Sequence, residues 1–368
     1  MNSVRPAKRI IETSSVSSTN ISRRQAARLL VGGAALVAIG SNVADASTAL
    51  AAIPVDKTRW SAATKKGLGW LVKQQSRSGG WANKTYPVAV SALAGTALIC
   101  SGSTTTQGPY AKQIRLTVDY LLSRAQANGL VGDPKRDSRY TYGHGFSMLF
   151  LSQVLGEEED VDRRTELIEA LKRAIDFSVN AQTKAGGWGY VSSKSSTFDE
   201  GSTTITQVQG LRGCRNAGLA VPKEAIESAI KYIYDCQNSD GGISYSFKSR
   251  GSSRPAITAA ALAALYNAGD YKSDKIPPMW DYCKARLHKL NERSYGHWHY
   301  TYLYYSQVVY RQGATEWEPY RDKLYKRLVN EQQANGSWKS KSVGDAYSTA
   351  MNLIMMQLDN GFLPIYQR

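Results

Sequence analysis

Cysteine and histidine are scarce in this sequence, four of each among 368 residues. The cysteines, Cys100, Cys214, Cys236 and Cys283, form no C-x-x-C pair, and so few in so long a chain exclude a disulfide framework. All four fall within helical patterns, where a buried reduced thiol is the expected state. Cys214 and Cys236 are the pair to watch if an oxidising compartment joins any. Acidic residues are also short, 30 against 46 Lys and Arg, for a net charge of +16. The basic residues are dispersed, with no zinc-finger spacing, RNP pattern or long basic arm, so nucleic acid is not an expected partner. A positive surface still favours anions such as phospholipid head groups, polyanionic glycans or a diphosphate. Phenylalanine is rare too, 6 residues against 22 Tyr and 8 Trp. Tyrosine and tryptophan suit surfaces with one wet and one apolar side. With 42% hydrophobic residues the chain is too apolar to be disordered.

Long apolar runs are missing as well. The one near the start, Leu29 to Ile39, is too short for a typical transmembrane helix. It follows Arg5, Lys8, Arg9, Arg23, Arg24 and Arg28 and precedes a small-x-small site, Ala44-Asp45-Ala46. That order is the plan of an export signal. Ser22-Arg23-Arg24-Gln25 resembles the start of a twin-arginine signal, although Ala26 and Ala27 stand where a bulky apolar residue is usual. The expected division is an export signal over residues 1–46, a linker over 47–57, a folded body over 58–360 and a tail over 361–368. The expected location is periplasmic or cell-envelope associated. Retention of the signal as an anchor and peripheral membrane contact stay open. Cleavage would remove six basic and two acidic residues and leave the body at about +12.

What the chain has in abundance is repetition. Gln75-Ser-Arg-Ser-Gly79-Gly80-Trp81 returns as Gln182-Thr-Lys-Ala-Gly186-Gly187-Trp188 and as Gln332-Gln-Ala-Asn-Gly336-Ser337-Trp338. Gln237-Asn-Ser-Asp-Gly241-Gly242-Ile243 is a fourth copy with Ile for Trp, and Gln126-Ala-Asn-Gly129 a weaker fifth. The gaps between starts are 51, 56, 55 and 95 residues, and the stretch around 283–296 fills the wide one, giving six units. Each unit reads as helix, Gly-rich turn, helix. First helices are expected over 58–75, 114–127, 167–182, 223–237, 278–290 and 320–332. Second helices are expected over 89–100, 146–155, 202–217, 256–268, 300–311 and 346–358, several ending at glycine (Gly156, Gly218, Gly269, Gly313). The second helices are poor in charge and need burial on most sides, which an inner ring of six wrapped by six outer helices supplies. In the turn, Gly allows a bend a side chain would block, Trp packs on the neighbouring unit, and Gln is expected to bond the last carbonyls of its own helix.

This pattern resembles the prenyltransferase and squalene-oxidase repeat family, over about 58–360. The resemblance implies an all-α fold, an α/α toroid of six helix pairs. It also implies chemistry that the residues must carry themselves. Terpene cyclases of this family use an Asp-x-Asp-Asp-Thr segment whose central Asp donates a proton. The nearest segment here is Phe198-Asp199-Glu200-Gly201-Ser202-Thr203-Thr204, with Gly201 at the donor position. Asp199 or Glu200 could serve if apolar burial raised a carboxyl, although acids at a helix start are also plain dipole partners. Protein prenyltransferases hold zinc through Asp, Cys and His. Asp345-Ala346-Tyr347-Ser348-Thr349 resembles one ligand segment but carries Ser348 for His, Arg254-Pro255-Ala256-Ile257 carries no ligand, and Asp281-x-Cys283 lies on an outer helix. No metal or other cofactor is expected. No Gly-Cys-Gly-Glu-Gln run supports thioester chemistry either.

The candidate site is a central cavity. Its expected acid–base residues are Asp199, Glu200, Asp345 and His144. Its expected ligand-binding residues are Tyr142, Trp188, Tyr190, His297, Trp298, His299 and Tyr300. His144 and the His297–His299 segment sit at the starts of second helices in units two and five, which face each other in a six-membered ring. Aromatics at these mouths suit carbocations, sugars or simple packing. Two functions stay open. One is a terpene-cyclase-like enzyme acting on an isoprenoid or other apolar lipid. The other is a non-catalytic toroid of the cell envelope that binds lipid, glycan or protein. An apolar lipid and an anionic glycan are the expected partners, and the oligomeric state is not legible.

Overall fold

The computed structural model describes residues 57–194, 196–291 and 297–367. The expected export signal and nearly all of the linker lie outside the described residues, as does 292–296 of the fifth turn. Among the described residues twelve α-helices form six pairs: α1 (Lys57–Lys73) and α2 (Pro87–Ile99), α3 (Ala111–Leu122) and α4 (Tyr140–Leu155), α5 (Val161–Ala181) and α6 (Gly201–Asn216), α7 (Lys223–Asp235) and α8 (Pro255–Ala268), α9 (Ile276–Leu287) and α10 (Trp298–Arg311), α11 (Ala314–Glu331) and α12 (Asp345–Met355). Among the described residues there is no β-sheet, only isolated bridges across the turns.

The even-numbered helices pack in sequence, each on the next, and α12 packs back on α2. The odd-numbered helices pack outside them. Burial separates the two rings as charge predicts. Twelve of the 13 residues of α2 are buried, against five of the 13 in α7. A helix apolar on all sides belongs inside, and one with a single apolar stripe belongs on the surface. The protein is therefore an α/α toroid, as the repeat implies. No helix among the described residues is long and apolar enough to cross a membrane.

The Gly-rich turns fasten the rings together. The five described copies share one backbone geometry, with paired bonds such as Ser76 N–H to Gly80 O and Gly79 N–H to Ser76 O. At Gly79, φ is +90° and an added Cβ would come within 1.9 Å of the Leu116 carbonyl on α3. Only glycine fits so close to the next outer helix. Trp packs on the neighbouring unit as expected, Trp338 lying against Gly67 of α1, but the hydrogen bonding of Gln and Trp differs from the expected. The indole N–H, not the Gln amide, reaches back to its own helix: Trp81 to Leu71 O, Trp188 to Ser178 O and Trp338 to Leu328 O, at 2.7–2.8 Å. Gln reaches forward to the next outer helix: Gln75 to Gln113 O and Gln182 to Ala225 O, both at 2.9 Å. The physical reason is position, since Gln sits past the last helical turn and faces the neighbour. Unit two is also offset by one residue. The bridge Ala125–Val131 matches Gln75–Trp81, so Ala125 holds the Gln place and Gln126 bonds Gly132 O instead.

After α12 the chain turns back over the C-terminal ends of the inner helices. Asn360 bonds the Cys100 carbonyl, Arg311 bonds the Ile365 carbonyl, and Leu363, Ile365 and Tyr366 are buried. At the helix ends Gly218, Gly269 and Gly313 have positive φ, whereas Gly156 ends α4 in the ordinary right-handed region. All four cysteines are buried and none is in a disulfide, so Cys214 and Cys236 are unjoined. Burial pushes the Cys214 thiol up to about 12.

Candidate ligand cavity at the mouth of the inner ring

A cavity of about 440 Å³ lies among the N-terminal turns of the inner helices. Its walls are Ala89, Val90 and Leu93 of α2, Phe146 of α4, Ala256 and Ile257 of α8, and Met351 of α12. Its polar lining comes largely from one tyrosine per unit: Tyr86, Tyr142, Tyr190, Tyr245, Tyr300 and Tyr347. Neighbouring rings of this set touch, Tyr86 with Tyr142 at 6.1 Å and Tyr142 with Tyr190 at 6.0 Å between centroids. The hydroxyls of Tyr190 and Tyr245 hydrogen-bond to each other. Arg139, Arg254, Ser202 and His297 complete the polar lining. Among the described residues, no Asp or Glu lines the cavity.

Four of the sequence-derived candidates stand on this cavity: Tyr142, Tyr190, His297 and Tyr300. Glu200 sits just behind it. It precedes α6 and is fully buried, accepting from the backbone N–H groups of Ser202 at 2.8 Å and Thr203 at 2.7 Å. Ser202 Oγ and the Tyr142 hydroxyl also donate to it, the latter at 3.1 Å. This is an N-cap, with the carboxylate satisfying the first amides of the helix. Burial and the nearby Glu200 charge together hold the Tyr142 phenol well above its usual range.

The remaining candidates point elsewhere. Asp199 accepts from Tyr232 on outer helix α7 at 2.8 Å and from Thr183 at 3.2 Å. Asp345 accepts from the Ser340 backbone N–H at 3.1 Å. Trp188 is completely buried and committed to Ser178. His299 contacts Asn352 and the Lys339 carbonyl, and Trp298 lies beside it under the Arg327 guanidinium. His144 is completely buried with both nitrogens engaged. Nδ1 accepts from the Val131 N–H at 3.0 Å, so Nε2 carries the proton and donates to Ala174 O at 3.1 Å. Burial pushes this imidazole down to about 4. Its place explains its presence. The residue at the Trp position gives its backbone N–H to Ser91, Thr204, Thr258 or Thr349 in the other described turns, and to His144 in unit two. Asp199, Asp345, His144 and His299 therefore do not converge. Among the described residues, no three His, Cys, Asp or Glu side chains could together hold a metal ion.

Sequence reasoning missed Tyr86, Tyr245, Tyr347, Arg139 and Arg254. The signal was one tyrosine near the start of every second helix, hidden by varying offsets. Tyr142, Tyr300 and Tyr347 are third helical residues, Tyr86 immediately precedes its helix, and Tyr190 and Tyr245 lie in the turn.

A double ring of helices around a tyrosine-bordered cavity defines an α/α toroid related to the prenyltransferase and terpene-cyclase superfamily. More particularly, the chain belongs to the prenyltransferase alpha-alpha toroid domain family, whose model matches residues 46–200 and 202–358. Among solved structures it is similar to the type II terpene cyclase MstE from Scytonema, solved with geranylgeranyl dihydroxybenzoate as substrate. Identity is 14% over 83% of this chain and 98% of that one, with a TM-score of 0.54. It is also similar to an α-1,6-mannanase of Salegentibacter solved with α-1,6-mannotriose, at 8% identity over 81% and 98% with a TM-score of 0.58. A GH76 α-mannanase of Bacteroides thetaiotaomicron matches at 11% identity over 81% and 94%, also with a TM-score of 0.58. At these identities the likeness is one of fold. No curated protein matches the sequence.

Proposed function

We propose that this toroid binds an isoprenoid-type or other apolar lipid in its central cavity, and that it holds the lipid without cyclising it. The observation that carries the reading is the cavity wall, an aliphatic and aromatic surface bordered by six tyrosines. A concave, mostly apolar pocket with a few convergent polar groups is the usual form of a small-molecule site. A cyclase of the protonating kind needs an acid aimed at an alkene. The acid nearest the cavity, Glu200, is fixed as a hydrogen-bond acceptor at the start of α6. The likeness to a cyclase solved with a geranylgeranyl substrate supports the lipid class.

The test is native mass spectrometry of the purified protein with geranylgeraniol, a wax ester and an anionic oligosaccharide. Retention of the isoprenoid alcohol, lost in an Ala256→Trp variant that fills the cavity, is the expected result. Retention of the oligosaccharide alone would overturn the reading in favour of a glycan site.

We also infer export of this protein to the periplasm or cell envelope, supported by Arg23-Arg24, the Leu29–Ile39 run and Ala44-Asp45-Ala46. Recovery of the protein from the cytoplasmic fraction alone, with residue 1 intact, would count against it.

A further inference from the structure

We propose that Arg139 and Arg254 form a clamp for an anionic head group, so that the occupant of the cavity is a single-chain lipid ending in a phosphate or carboxylate. The inference rests on the lipid reading above and specifies its chemistry.

Both arginines line the cavity, one immediately before α4 and the other immediately before α8. Each lies over the face of a cavity tyrosine. The Arg139 guanidinium is 4.4 Å from the Tyr190 ring centroid, and that of Arg254 is 4.8 Å from Tyr245. The hydrogen bond between the Tyr190 and Tyr245 hydroxyls joins the two stacks into one unit. A guanidinium stacked on a ring keeps its N–H edge available, and that edge matches two oxygens of a phosphate or carboxylate.

Arg139 Nη1 donates to the hydroxyl of Tyr86, another cavity residue, at a long 3.4 Å, which leaves the rest of its N–H edge for a ligand. Among the described residues neither arginine forms an ion pair, whereas Arg163, Arg321 and Arg327 each hold a carboxylate. The repeat does not require arginine at this place. The residue preceding the inner helix is Tyr86, Arg139, Glu200, Arg254, His297 and Gly344 in units one to six. The surrounding field favours an anion, because the inner helices start at this mouth and their N-terminal amides add partial positive charge. The acids near these helix starts are engaged: Glu200 is buried and shared among the α6 amides, Ser202 and Tyr142, Asp345 accepts from the Ser340 N–H, and buried Asp137 accepts from the backbone N–H of Arg139. Leu93, Phe146 and Met351 line the same cavity and suit a hydrocarbon tail.

The experiment measures affinity of the full chain for geranylgeraniol, geranylgeranoic acid and geranylgeranyl monophosphate, by titration calorimetry at low and high salt. The expected result is that one or both anionic lipids bind roughly tenfold or more tightly than the alcohol, with an advantage that shrinks in high salt. An Arg139→Gln, Arg254→Gln double variant should lose that advantage and keep the alcohol affinity. Both residues are exposed, so the variant's fold can be checked by its unchanged melting temperature. Preference between acid and phosphate identifies the head. Equal affinity for all three lipids, or an anion preference that survives the double variant, overturns the clamp and leaves the lipid site standing. Binding of none of the three overturns the lipid reading itself.

Discussion

Gln332 donates its side-chain N–H to the carbonyl of Ala63 at 2.9 Å, across 269 residues of chain. The last turn thereby makes with the first outer helix the contact that Gln75 and Gln182 make with the next one. Gly336 completes the closure. Its φ is +99°, and an added Cβ would come within 2.6 Å of the Lys66 carbonyl on α1. Gly336→Ala should therefore destabilise the protein by about 3 kcal/mol or more, combining backbone strain with a clash. Gly218 supplies the control, since it has φ +89° with nothing within 4 Å of an added Cβ. Gly218→Ala should cost about 1 kcal/mol, from the left-handed backbone alone. Urea unfolding of both variants checks this, and equal losses would show that ring closure adds nothing.

The ring architecture was legible because its causes are periodic. The Gly-rich turn recurs at nearly fixed spacing, and the change from amphipathic to uncharged helices such as Pro255–Ala268 marks which ring each joins. The roles within the turn were not legible. Whether Gln75 or Trp81 reaches the Leu71 carbonyl depends on where the chain turns, and the sequence spacing admits both. The site was half legible. Tyr142 and Tyr300 were found because they sit in conspicuous aromatic clusters, while Tyr86 and Tyr245 each stand as the single tyrosine of their turn. His144 shows the opposite failure. Rare polar residues at a helix start look chemical in a sequence, yet this one stands in for the Ser or Thr of other units.

His144 and Asp137 should tilt stability in opposite directions over the same pH range. His144 falls from an ordinary 6.5 to about 4 through burial. Between these values the unfolded chain takes up a proton that the native state refuses, so stability drops as pH falls from 6.5 to 4. The full drop is about 3 kcal/mol. Asp137 rises from 3.8 to about 6, again chiefly through burial, while one carboxyl oxygen accepts from the backbone N–H of Arg139 at 2.7 Å. Here the native state binds the extra proton, so stability rises as pH falls from 6 to 3.8. His144→Gln should remove the acid loss, and Asp137→Asn should remove the compensating gain and steepen it. Unfolding free energies measured at intervals from pH 4 to pH 7 test both signs, and parallel profiles for the three proteins would refute the pairing.

Glu200 separates the two functions open to a toroid of this kind. As an N-cap buried behind the cavity, its carboxylate holds two backbone amides of α6 and two hydroxyls, and those hydroxyls belong to cavity residues Tyr142 and Ser202. Glu200→Gln keeps the shape and one acceptor but removes the charge at the helix start. The expected cost is about 1–2 kcal/mol of stability, read as a lower urea midpoint. Lipid affinity should change by less than about twofold, since the head-group contacts assigned to Arg139 and Arg254 are untouched. Any product formed from geranylgeranyl lipids by the wild-type protein, analysed by gas chromatography and mass spectrometry, should be absent both before and after the substitution. A cyclised product that disappears in Glu200→Gln while binding and folding persist would make Glu200 the acid and the protein a catalyst.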